Sequence, residues 1–79
     1  MLTLYYRPTC PFCHKVLAAA GELGVDFEKK DIADPTNAEA LVARGGKRQV
    51  PYLVDAERGV EMYESNDIVT YLTKHYAKR

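Results

Sequence analysis

A chain of 79 residues holds one compact domain, 1–79, and a domain of this size buries only about 60% of its unfolded surface. Its 47% hydrophobic content excludes a disordered chain, and its 11 lysines and arginines against 11 aspartates and glutamates give no electrostatic ground for nucleic acid or an anionic membrane as partner. No run approaches the roughly 20 apolar residues that cross a bilayer, and the segment from Met1 to Pro8 lacks the pattern of a secretory signal, so the expected location is the cytoplasm.

No repeat, linker or low-complexity tract interrupts the chain. Residues 2–6 are rich in aromatic and β-branched types and stop at Arg7-Pro8, which predicts a strand. From Pro11 to about Leu23 the apolar residues Cys13, Val16, Leu17, Ala20 and Leu23 recur at helical spacing. Pro11 suits a first helical turn, and Gly21 and Gly24 mark the end. Val25 to Ile32 reads as a short strand. Pro35 to about Arg44 reads as a second helix, with Ala38, Leu41 and Val42 on one face and Gly45-Gly46 as its stop. Pro51 to Asp55 and Gly59 to Tyr63 are two short strands joined by a hairpin turn. A last helix starts near Ser65, with Ile68, Tyr71, Leu72, His75 and Tyr76 on its apolar face and Ser65, Asn66 or Asp67 as its cap. The order β-α-β-α-β-β-α predicts an α/β fold. Its first two strands are parallel through a helical crossover, the hairpin adds two antiparallel strands, and helices cover both faces of the mixed sheet.

The two cysteines, Cys10 and Cys13, carry the chemistry. Three positions apart, they close a ring too small to staple a fold. Cys10 falls in the loop between the first strand and the first helix, and Cys13 one turn into that helix. The nucleophile of a cysteine is its thiolate. A helix N-terminus offers unpaired N–H groups and a partial positive charge, and such sites lower a cysteine pKa from roughly 8.5 to about 3.5–7.5. Arg7 adds a nearby cation. Cys10 is therefore expected to attack and Cys13, at the start of the apolar stripe, to resolve. Zinc wants about four ligands, and the other donors, His14 and His75, lie away from the pair, so no metal is expected. His14 reads as an exposed helix residue.

Arg7-Pro8-Thr9-Cys10-Pro11-Phe12-Cys13 resembles the Lys-Pro-Thr-Cys-Pro-Tyr-Cys active site of the glutaredoxins, with arginine for lysine and phenylalanine for tyrosine. Gln49-Val50-Pro51 is similar to their Thr-Val-Pro segment, whose proline is cis and faces the active cysteine. The resemblance covers nearly the whole chain and implies a thioredoxin-like fold. One departure is informative. Tyr63-Glu64-Ser65-Asn66-Asp67-Ile68, followed by Tyr71-Leu72, is similar to the Glu-Ser-x-x-Ile…Tyr-Leu pattern in the N-terminal domain of glutathione transferases. In that family the Glu-Ser pair holds the γ-glutamyl end of glutathione. A full transferase also needs a C-terminal helical domain for its second substrate, and none is expected here.

Glutathione carries a carboxylate at each end with a thiol between, so a protein that binds it extended needs anion sites flanking the reactive cysteine. Ser65 and the N–H groups of the last helix suit one carboxylate, and Glu64 the γ-glutamyl ammonium. Arg7, Lys47, Arg48 and Gln49 suit the glycyl carboxylate. The Val50 backbone can pair with the peptide as an added strand, and a cis Pro51, implied by the resemblance, exposes that edge. Plainer roles stand beside these: Ser65 as a helix cap, Lys47-Arg48 as a solvated loop, Arg7 as a surface residue, and Phe12 as either a spacer or a contact for a client protein.

The expected activity is glutathione-dependent thiol–disulfide oxidoreduction through Cys10-Pro11-Phe12-Cys13. No cofactor is tightly bound and glutathione is the co-substrate. The partners are disulfide-containing or glutathionylated proteins, and the chain acts as a monomer. Two alternatives remain open: a redoxin reduced by a flavoprotein reductase, and a carrier in which Cys10 and glutathione ligate an iron–sulfur cluster between two copies of the chain.

Overall fold

The computed structural model describes residues 2–76. The elements are β1 (Leu2–Tyr6), α1 (Pro11–Leu23), β2 (Phe27–Asp31), α2 (Pro35–Gly45), β3 (Tyr52–Asp55), β4 (Val60–Met62) and α3 (Ser65–Tyr76), the expected order. The four strands form one sheet in the order β2-β1-β3-β4. β1 and β2 are parallel, with Leu4 opposite Lys29, and α1 makes the crossover between them. β1 and β3 are antiparallel, with Leu4 opposite Leu53, and so are β3 and β4, with Leu53 opposite Met62. The fold is thioredoxin-like.

The period of two along the strands divides the core between the two faces of the sheet. Leu2, Leu4 and Leu53 point to one face and pack with Val16 and Ala20 of α1 and with Ile68 and Leu72 of α3. Tyr5, Tyr52 and Val54 point to the other and pack with Ile32, Ala38 and Leu41 on the α2 side. β3 is central and covered on both faces, which is why Tyr52 to Asp55 is buried without a break. Each fully buried leucine or isoleucine contributes about 1.5–3 kcal/mol, and Leu4, Leu41, Leu53, Ile68 and Leu72 are the largest such side chains.

The helix ends follow local chemistry. Pro11 opens α1, and Gly24, at φ 73°, closes it, with its N–H reaching Ala20 and Gly21 carbonyls. Gly21 therefore lies inside α1 rather than at its end. The Val25 N–H is spent on the Ala20 carbonyl, so the chain is still closing the helix there, and β2 starts only at Phe27. α2 is capped by Asp34, whose carboxylate accepts from the Thr36 N–H at 2.9 Å. Val42 departs from the expected apolar face and is 41% exposed, because Ala38 and Leu41 alone face the sheet. In α3 the buried face is Ser65, Ile68 and Leu72, while His75 is exposed. Ser65 is the first helical residue rather than the cap: the Ile68 N–H donates to the Glu64 carbonyl at 2.8 Å, so Glu64 stands at the boundary. No helix among the described residues is long and apolar enough to cross a membrane.

Candidate active site

β1 ends at Tyr6, and a short turn over Arg7, Pro8 and Thr9 delivers Cys10 to the start of α1. The turn is fixed by its own backbone: the Cys10 N–H donates to the Arg7 carbonyl at 3.1 Å, and the Cys10 carbonyl accepts from the His14 N–H at 3.0 Å. The His14 ring, exposed as expected, adds a second tie through Nε2 to the Pro8 carbonyl. Cys10 is the N-cap residue of α1, with extended φ and ψ of −85° and 120°, and its side chain caps no backbone N–H. No acidic residue sits in the first turn of α1.

The two thiols are free and differ in environment. Cys10 is half-buried, whereas Cys13 is completely buried. Burial pushes the Cys13 thiol up from 9.0 to about 11, and the neighbouring Cys10 pushes it the same way, while the backbone and charge of Arg7 oppose. Cys13 thus keeps its proton at neutral pH. The Cys10→Ser variant isolates this group: its ultraviolet thiolate absorbance should grow only well above pH 9, and growth near neutrality would contradict the buried site. In the unaltered protein, brief alkylation near neutral pH should place its adduct on Cys10 and spare Cys13.

Beside the start of α1 lies a groove of about 280 Å³ lined by Phe12, Gln49, Val50, Pro51, Tyr63, Glu64, Ser65 and Asn66. It gathers three separate stretches of sequence: the inter-cysteine residue, the approach to β3 and the start of α3. Five of the residues expected to bind glutathione line it, namely Gln49, Val50, Pro51, Glu64 and Ser65. The Val50–Pro51 peptide bond is cis, as the resemblance implied. Ser65 is buried in the first turn of α3, where helix N–H groups lack intrahelical partners, and Glu64 is exposed beside it. Phe12 is 62% exposed, so its ring is available to whatever approaches Cys10.

Three expected contacts do not line the groove. Arg7 is exposed on the turn before Cys10, and its action is on the Cys13 thiol. Arg48 lines a separate recess on the α2 side with Ile32, Ala38 and Val42. Arg48 and Gln49, neighbours in the chain, thus line different recesses. Lys47 lays its ammonium over the Tyr63 ring, 4.8 Å from the centroid. Two lining residues escaped the sequence reading. Tyr63 had the signature of packing, and only its place beside Glu64-Ser65 hinted at more. Asn66 accepts from the Lys15 ammonium, a tie between α1 and the first turn of α3 that no local pattern announces. Among the described residues no group of three or more His, Cys, Asp or Glu is placed to hold a metal ion.

Residues 4–79 match the glutathione S-transferase N-terminal domain family. Glutaredoxin 3 of Escherichia coli K12 is 32% identical to the chain over a region that covers 68% of each. Among solved structures, a delta-class glutathione transferase of Nilaparvata lugens superposes with a TM-score of 0.84 at 32% identity, covering 100% of this chain and 38% of that one. Glutathione S-transferase 1-6 of Anopheles dirus superposes at 0.81 with 33% identity, covering 98% of this chain and 37% of that one. The chain thus spans little more than a third of the solved transferases it resembles. With the cysteine pair at the head of α1 and the cis proline before β3, these matches establish that the chain belongs to the glutathione S-transferase N-terminal domain family and is a glutaredoxin-like protein of the thioredoxin fold.

Proposed function

We propose that the chain is a glutathione-dependent thiol–disulfide oxidoreductase that reduces protein disulfides and glutathione mixed disulfides. The observation that carries this reading is the asymmetry of the pair: Cys10 half-exposed at the helix start, Cys13 wholly buried with its thiol pushed up to about 11. The Cys10 sulfur attacks one sulfur of the target disulfide, and the target's other sulfur leaves and takes a proton. Cys13 gives up its proton and attacks the Cys10 sulfur. The target's second thiol is released, and a Cys10–Cys13 disulfide remains. One glutathione thiolate opens that disulfide by forming a mixed disulfide at Cys10, and a second leaves as oxidised glutathione, so two electrons pass from two glutathiones to one target. When the target is a glutathionylated protein, Cys10 takes the glutathionyl group directly and Cys13 is not required.

The groove fits the first glutathione. Ser65, the N–H groups of α3 and Glu64 suit its γ-glutamyl end, and Gln49 with the Val50 backbone suits the remainder. Of the cations, Lys47 stands over the ring of Tyr63, which lines the groove, while Arg48 lines a separate recess. A free dithiol suits the reducing cytoplasm, where the chain acts as a monomer on disulfide-containing or glutathionylated clients. Glutaredoxin potentials near −200 to −230 mV make glutathione a feasible reductant.

The test supplies a glutathionylated peptide with glutathione, glutathione reductase and NADPH, and in parallel with thioredoxin reductase and NADPH alone. Turnover is expected only in the first. Turnover only in the second would assign the chain to the flavoprotein-reduced redoxins instead. A second reading, addition of glutathione to an electrophile, is favoured by the likeness to the delta-class transferase. There the attacking thiol is glutathione's own, so conjugation would survive Cys13→Ser, whereas protein-disulfide reduction would not.

A further inference from the structure

The wall of the groove between α2 and β3 is the connection from Gly46 to Pro51, which carries no helix or strand of its own. Lys47, Arg48 and Gln49 are all exposed on it. Tyr63 fastens this connection in three ways. Its hydroxyl donates to the Lys47 carbonyl at 2.8 Å and accepts from the Lys47 N–H at 3.1 Å, which satisfies both polar groups of that peptide residue. Its ring carries the Lys47 ammonium on one side. The same ring packs on Tyr52 of β3, with centroids 4.4 Å apart. The end of α2 is built around this contact: a Cβ on Gly45 would stand 2.1 Å from the Tyr63 hydroxyl oxygen, so only glycine leaves room. A neighbouring tie runs in the same direction, from Arg44 of α2 to Glu61 of β4 at 2.9 Å, with Glu61 also accepting from the Tyr52 hydroxyl.

Tyr63 also precedes Glu64-Ser65 directly, and it lines the groove itself. One residue therefore joins the two walls: Gln49-Val50-Pro51 on one side and Glu64-Ser65-Asn66 on the other. A flexible tripeptide with a charge at each end binds well only where the subsites are held at a set separation before it arrives. We infer that Tyr63 is a positioning residue that sets this separation through the Lys47 backbone. The inference rests on the glutathione-dependent reading above.

The test is Tyr63→Phe, which keeps the ring, its packing on Tyr52 and its contact with the Lys47 ammonium, and removes only the hydroxyl. Loss of one or two hydrogen bonds that preorganise a site should raise KM for glutathione about 3- to 10-fold while kcat stays within about twofold. Amide hydrogen exchange at Lys47 should accelerate in the same variant, because its N–H loses its acceptor. Gly45→Ala, which displaces the hydroxyl by steric contact without removing it, should shift KM in the same direction; if that variant does not fold, Tyr63→Phe decides alone. Faster exchange at Lys47 with an unchanged KM would make Tyr63 merely structural and overturn the inference. So would unchanged exchange. Wild-type protein that shows no glutathione-dependent turnover would instead overturn the functional reading before any variant is compared, and this inference with it.

Discussion

Cys10→Ser should abolish reduction of both protein disulfides and glutathione mixed disulfides, by more than about a thousandfold, because removing the attacking atom leaves no alternative route. Cys13→Ser should behave differently on the two substrates. A glutathionylated protein needs one thiol to take the glutathionyl group, and a second glutathione then clears it, so this activity should persist. A protein disulfide needs the second thiol to release the trapped target, so that activity should fall steeply and a covalent Cys10–target adduct should accumulate, visible by mass spectrometry under non-reducing conditions. The assignment of roles follows from exposure: an attacking sulfur must be reached by a macromolecule, and Cys13 has no exposed surface. Equal loss of both activities in Cys13→Ser, with Cys10→Ser still active, would reverse the roles.

Asp55→Asn should cost roughly 2–3 kcal/mol of stability, out of a total of roughly 4–12 kcal/mol for a chain of this length. Asp55 closes β3 and is only 1% exposed, yet its carboxylate is richly partnered. Tyr71 and Tyr76 of α3 donate their hydroxyls to one carboxylate oxygen at 2.6 and 2.5 Å. The Arg58 N–H donates to the other oxygen at 3.4 Å, and the Arg58 guanidinium stands 3.9 Å from the carboxylate. Burial alone would resist the charge, but the two phenols and Arg58 outweigh it and hold the carboxyl below its ordinary value of 3.8. The tyrosines report the same network. Burial, then the bond to Asp55, pushes Tyr71 up to about 12, and the bond to Asp55, then burial, pushes Tyr76 up. These bonds tie the last turns of α3 to the sheet. Asparagine keeps the shape but loses the charge, and charge-assisted hydrogen bonds are worth about 1.5–3 kcal/mol each.

Thermal unfolding should therefore fall by roughly 10–20 °C at neutral pH. The sign with pH is fixed by the lowered folded value. The unfolded carboxyl takes its proton first as pH falls, so the contribution of Asp55 is complete above the ordinary carboxylate range and fades as pH drops through the depressed folded value. The gap between wild type and Asp55→Asn should close in acid. A shift of less than about 3 °C at neutral pH, or a gap that widens in acid, would contradict the network.

Much of this protein is written locally. The residues between Pro11 and Gly24 specify a helix by apolar spacing and by proline and glycine at its ends, and Cys10 precedes that helix whatever the tertiary structure does. The run Pro51 to Val54 is apolar without a break, as suits a strand at the centre of the sheet, so its strand character needed no distant information. Two short motifs, Gln49-Val50-Pro51 and Glu64-Ser65, were enough to indicate five of the residues that line the groove. What local pattern misjudged were faces and ends: Val42 has the spacing of a core residue and the exposure of a surface one, since helical periodicity fixes an angle but not what covers it.

The rest depended on contacts between residues far apart in the chain. Asp55 reads as the end of a short strand, and only the return of α3 over the sheet makes it a buried anchor for Tyr71 and Tyr76. Arg48 and Gln49 are neighbours both expected to meet a carboxylate, arginine the more strongly, yet Gln49 lines the groove and Arg48 a recess on the α2 side. Tyr63 gains its role from Gly45 and Lys47, which the fold brings against it from across the sheet edge. The sequence alone determined the elements, the cysteine pair at the head of α1 and most of the residue types in the groove, because these follow from short-range spacing and residue type. The tertiary structure decided burial, side-chain direction and the separation of the groove walls, because those depend on which distant surfaces the closing sheet brings into contact.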